Sequence, residues 1–129
     1  MTQQEQDERD AYSGLYAAMR LAHTTAKNAG WYHNPKTGEQ TERNFGEAIA
    51  LIHSELSEAL EAHRKDLMDD KLPHRSGVEV ELADCILRIL DTAGALGLDI
   101  PGAFIAKNRF NQKRADHKPE ARAAGGIKY

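Results

Sequence analysis

Glu55 and Glu58 in "HSELSEALEAHRKD", and Glu81 and Asp84 in "EVELADCILRILD", are two carboxylate pairs with the same spacing. Residues three apart on a helix are neighbours on one face, so each pair could present two oxygen donors together. Hard divalent cations bind such oxygen clusters, and Mg²⁺ takes a few carboxylates while keeping waters for a substrate phosphate. The first pair is unusual in its surroundings. At 100° per residue, the apolar positions of its helix centre near Ile52 and Leu56, and Glu55 falls roughly 140° from the middle of the polar arc. A carboxylate so placed is partly desolvated and needs a cation or hydrogen bonds. The second pair has a plainer alternative, because Glu81, Asp84, Arg88 and Asp91 form one polar stripe that could face solvent.

Other chemistries fit less well. Di-iron bundles use Glu-x-x-His on two helices, and none of the six histidines has an acidic residue three positions before it. A lone Cys85 with dispersed histidines does not supply a zinc site. No Walker loop or dinucleotide-binding glycine fingerprint is present. Cys85 falls in an apolar arc, as an inert core residue would.

The elements that must position these side chains read as helices. Residues 8 to 29 carry Leu15, Met19, Ala22 and Ala26 along one face, with Gly30 as a stop. "WYHNPKTGEQTERN" breaks every period and reads as a long loop of the kind compact domains seldom carry without a use. Residues 45 to 66 form a second helix through Phe45, Ile49, Ile52, Leu56 and Leu60. Residues 76 to 96 form a third through Val78, Leu82, Cys85, Ile86, Ile89 and Ala93, and a fourth runs from about Pro101 to Ala115. No strand is expected, so the fold class is all-α: one domain over residues 1–118 and a tail, 119–129, poorly ordered unless a partner subunit holds it. Two antiparallel helices could bring the four carboxylates together inside a bundle.

With 17 basic and 20 acidic residues the net charge is −3, which does not suit an electrostatic binder of DNA or RNA. "KNRFNQKRADHKPEAR" is locally basic, either as a solvated helix end or as an anion-binding edge. No apolar run is long enough for a membrane span. The acidic opening "MTQQEQDERD" reads as neither a signal nor a transit peptide, and single-cysteine usage fits a reducing cytoplasm.

"ELSE", 22 intervening residues and then "ELAD", followed by "KNRFNQKR", resembles the metal-binding signature of the MazG-like all-α nucleoside triphosphate pyrophosphohydrolases, over roughly residues 10 to 118. The resemblance implies a four-helix-bundle-like, MazG-type oligomeric fold, a homodimer or homotetramer in a bacterial or phage-infected cytoplasm. It implies an enzyme that hydrolyses a (deoxy)nucleoside triphosphate to the monophosphate and pyrophosphate. Glu55, Glu58, Glu81 and Asp84 would hold Mg²⁺, with Mn²⁺ as a substitute, and Glu55 would also orient or deprotonate the attacking water. Lys107, Asn111 and Arg114 match the family's phosphate-facing pattern, against a solvated basic face as the alternative. His23, Trp31 and Asn44 lie in segments resembling those that enclose base and sugar; the alternatives are a surface histidine, a core tryptophan and a helix N-cap. The overall pattern suggests a purine such as dGTP, with dUTP or dCTP as competitor. A non-enzymatic helical adaptor and a nucleic-acid-binding regulator are readings of other classes.

Overall fold

The computed structural model describes residues 1–114 and 118–125, and among these the chain is all-helical. Five helices follow in order: α1 (Gln3–Asn28), α2 (Phe45–Arg64), α3 (Gly77–Leu96), α4 (Ile100–Lys113) and a short α5 (Pro119–Ala123). Asn44, Ser76 and Asp99 cap α2, α3 and α4, each accepting from a backbone N–H of the first turn that would otherwise lack a partner. α3 ends on Gly97 at φ 67°, the left-handed position that glycine adopts without strain.

The helices differ from expectation mainly at their ends. α1 begins at Gln3, where Gln3–Asp7 and Gln6–Asp10 hydrogen bonds one turn apart support the polar opening. α2 stops at Arg64, and Asp66 turns the chain at φ 56°. Ala115, the expected end of α4, lies outside the described residues. The segment expected to be poorly ordered instead contains α5, with proline in its first turn; residues 126–129 lie outside the description.

The chain divides into two compact units, Met1–Tyr16 with the described residues from Asp99 onward, and Ala17–Leu98. In the first, Arg109 clasps Glu8, its Nε donating to both carboxylate oxygens at 3.1 Å, and Gln4 pairs with Gln112 at 3.0 Å. In the second, α2 and α3 run antiparallel, since Ala62 meets Gly77 while Glu55 meets Arg88. A Cβ on Gly77 would stand 2.9 Å from that of Ala62, so glycine is what allows this approach.

The buried face of α2 is not the one that its large aliphatic residues define. Ala48, Glu55, Ala59 and Ala62 are buried, whereas Leu56 and Leu60 are 46% and 51% exposed. Ala22, Cys85, Leu90 and Ala93 complete the core, and Leu82 and Ile86 of α3 also point outward. Small side chains let two helix backbones approach closely, and that contact wins the inside for the alanines. Among the described residues no single helix is long and apolar enough to cross a membrane.

Candidate metal centre

The antiparallel pairing of α2 and α3 brings the two acidic motifs face to face. Glu55, Glu81 and Asp84 each offer a carboxylate oxygen, and these atoms lie within 4.8 Å of one another. Oxygens opposed across a Mg²⁺ ion stand about 4.2 Å apart and across Ca²⁺ about 5 Å, so the group has the span of a hard-cation site. Glu58, the fourth expected ligand, is exposed and falls outside that close set; it lines the same open cavity of about 720 Å³.

Glu55 is only 6% exposed. Its Oε1 accepts from Arg88 Nε at 2.8 Å, but its Oε2 is buried and, with the neighbouring carboxyls ionised, has no hydrogen-bond partner among the described residues. A buried carboxylate oxygen left in this way costs free energy, and a shared proton or a cation removes the cost. Burial pushes the Glu55 carboxyl up, but hydrogen bonding with Glu81, Arg88 and Glu58 outweighs it and holds the group below the ordinary range. Glu81 is pushed up to about 8, first by burial and then by Glu55 and Glu58. Burial and the charge of Glu55 also raise Asp84. Carboxyls crowded so that one must keep its proton near neutral pH are a group that could exchange protons for a metal ion.

The connection between α2 and α3 supplies a wall that the sequence did not disclose. Asp69 Oδ2 accepts from the N–H groups of Lys71 and Leu72, at 3.0 and 2.8 Å, which holds Asp70 and Lys71 against the cavity. Lys71 and Arg88 are its basic groups.

A second polar cluster lies further along α3. Asp91, 6% exposed, belongs by sequence to the solvent stripe but is buried. Tyr32 Oη donates to its Oδ1 at 2.9 Å, His23 Nδ1 lies 3.0 Å from the same oxygen, and Arg43 Nη1 lies 3.4 Å from Oδ2. Burial, then the Asp91 carboxylate, raises the Tyr32 hydroxyl above its usual value. Asp91 thus joins α1, α3 and both ends of the 31–44 loop. The loop closes on itself as a small hairpin, with Asn34 N–H donating to Glu39 O at 2.7 Å and a bridge between His33 and Gln40.

The expected base-reading residues sit around this cluster. His23 is half-buried against Asp91 and meets Tyr32 edge to face at 4.9 Å, so it is not a surface histidine. Trp31 is 62% exposed, with the Arg43 guanidinium 5.5 Å from its ring centre, and is not a core residue. Asn44 is the N-cap of α2, its Oδ1 accepting from Glu47 N–H at 3.0 Å. In the other unit, Lys107 Nζ lies over the Phe110 ring at 4.7 Å, and Arg114 Nη1 reaches Asn111 Oδ1 at 3.5 Å. α4 ends at Lys113 and Arg114 is extended, so the expected three-residue helical face reduces to Lys107 and Asn111.

No family model, curated protein or solved structure matches the chain.

Proposed function

We propose that the protein is a divalent-metal-dependent nucleoside triphosphate pyrophosphohydrolase of MazG-like type, cleaving the α–β phosphate linkage to give a monophosphate and pyrophosphate. The observation that carries this reading is the buried, unpartnered Glu55 Oε2 within a three-carboxylate group of metal-site dimensions. Glu55, Glu81 and Asp84 would hold the ion, Mg²⁺ with Mn²⁺ as substitute. When bound, such an ion neutralises phosphate charge and favours ionisation of water.

The chain's own groups divide the remaining work. Arg88 fixes Glu55 in its rotamer through the 2.8 Å bond, which keeps the ligand set in place. Glu58, which lines the cavity outside the close set, would orient the attacking water and accept its proton. This role moves from Glu55, whose two oxygens are taken up by Arg88 and the metal site. Lys71 is the cation of the cavity wall available to phosphate. The exposed leucines and isoleucines of α2 and α3 support self-association, since a second copy would cover them.

The test is incubation with each common NTP and dNTP and Mg²⁺ or Mn²⁺, followed by product analysis. Monophosphate with pyrophosphate is the expected outcome. Orthophosphate release, or no turnover of any nucleotide, would refute the assignment.

A further inference from the structure

A cavity of about 260 Å³ lies at the far end of the α2–α3 pair from the carboxylates, beside the Asp91 cluster. Phe45, Ala48, Ala95 and Leu96 give it apolar walls, and Gln40, Arg43 and Thr92 stand among them as hydrogen-bonding groups. Its size is selective. An apolar cavity of about 150 Å³ accepts benzene, whereas pockets for drug-sized ligands begin near about 300 Å³. The space therefore suits one heterocyclic ring system rather than a whole nucleotide.

Its position is as informative as its size. Asp84, Arg88 and Thr92 follow one another at four-residue steps on α3, so the cavity lies about 12 Å along the helix from the acidic centre. The residues that sequence singled out for the ring are otherwise engaged: His23 is bound to Asp91, and the Asn44 side-chain oxygen caps α2. Arg43 is instead held in place, by Asp91 on one side and the Trp31 ring on the other. A donor fixed in this way before a ligand arrives loses little entropy on binding.

We propose that this cavity is the ring-binding site of the protein. It would take the base of a nucleotide whose phosphates lie at the acidic centre, with Arg43 donating to a ring carbonyl oxygen and Gln40 and Thr92 reading the remaining edge. This rests on the nucleotide reading above and adds its specificity residues. It places base choice on Gln40, Arg43 and Thr92, and leaves Trp31 as the support of Arg43.

The experiment is calorimetric titration of the intact protein, without metal, with each deoxynucleoside 5′-monophosphate and with 2-deoxyribose 5-phosphate. At least one monophosphate binds saturably and the ringless sugar phosphate does not. Ala95→Phe and Thr92→Leu, which fill the cavity from two sides, each weaken that binding tenfold or more while Mn²⁺ affinity stays at the wild-type value. The proposal is overturned if no monophosphate binds, if the sugar phosphate binds equally well, or if both correctly folded variants bind like wild type. Pyrophosphate release with an unchanged KM in both variants would preserve the reaction and remove the ring site. Cavity-dependent binding without hydrolysis of any triphosphate would do the reverse.

Discussion

Metal binding at the acidic centre should expel a proton, and the number expelled can be worked out from Glu81. With its carboxyl pushed up to about 8, Glu81 is about 0.9 protonated at pH 7 and about 0.1 protonated at pH 9. A metal ion must displace that proton, so Mn²⁺ binding at pH 7 should release close to one proton, and at pH 9 very little. Apparent affinity should rise about tenfold per pH unit up to about pH 8 and then level off. The stability of the metal-free protein runs the other way. Because the folded carboxyl is raised above its ordinary 4.5, its contribution is complete below that value and is lost as pH climbs towards 8. Water at the partly exposed Glu81 limits the loss to on the order of 2 kcal/mol, roughly 6–10 °C in Tm for a chain of this size. Titration calorimetry in buffers of different ionisation enthalpy counts the protons, and thermal melts across pH 5 to 9 follow the stability. Glu81→Gln should abolish both the release and the pH dependence of affinity. Release of less than about 0.3 proton at pH 7, or undiminished release in the variant, would show that the crowding of these carboxyls is not what tunes the site.

Glu55→Gln should abolish Mn²⁺ binding and turnover while leaving the helical circular dichroism intact; Glu58→Gln should lower kcat at least 100-fold with Mn²⁺ affinity unchanged, and a reversed pattern would exchange their roles. Asp91→Ala leaves Tyr32, His23 and Arg43 without their shared acceptor, and urea denaturation should show a loss of about 2–4 kcal/mol. A loss below about 1 kcal/mol would mean that Asp91 does not clamp the loop. Gly94→Ala would place a Cβ 2.8 Å from that of His23. The clash should exceed the roughly 1 kcal/mol by which alanine is the better helix former, so a variant more stable than wild type would contradict this packing. Leu56→Glu with Ile86→Glu should give a monomer by light scattering, and an unchanged mass would exclude these faces from self-association.

The parts legible in the sequence were those set by local rules. Asn44 and Pro101 mark helix starts through capping and backbone preference, and the structure begins α2 and α4 beside them. The three-residue spacing of the acidic pairs gave their shared faces, and the angular position of Glu55 gave its burial. What escaped depended on distant partners. Asp91 could not be told from a solvent-stripe residue because its three partners lie 48 to 68 positions away. The inward face of α2 was misjudged because periodicity weights Leu56 and Leu60 above Ala59 and Ala62, whereas close helix contact favours the small residues. The Asp69–Lys71 wall sits in a break whose shape comes from its own Asx-type hydrogen bonds, and no periodicity reports those.

The Asp91 clamp also bears on how this protein can vary. Tyr32 and Arg43 are tied to one buried carboxylate, and the bridge between His33 and Gln40 narrows the loop just inside those ties. The tip, Asn34 to Glu39, is exposed and hydrogen-bonds chiefly to itself. Doubling the length of such a tip costs only about 0.6 kcal/mol in closure entropy. Insertions and deletions there can accumulate without moving Arg43 or opening the α2–α3 pair, so the chain carries a segment free to change in length directly above a fixed anchor.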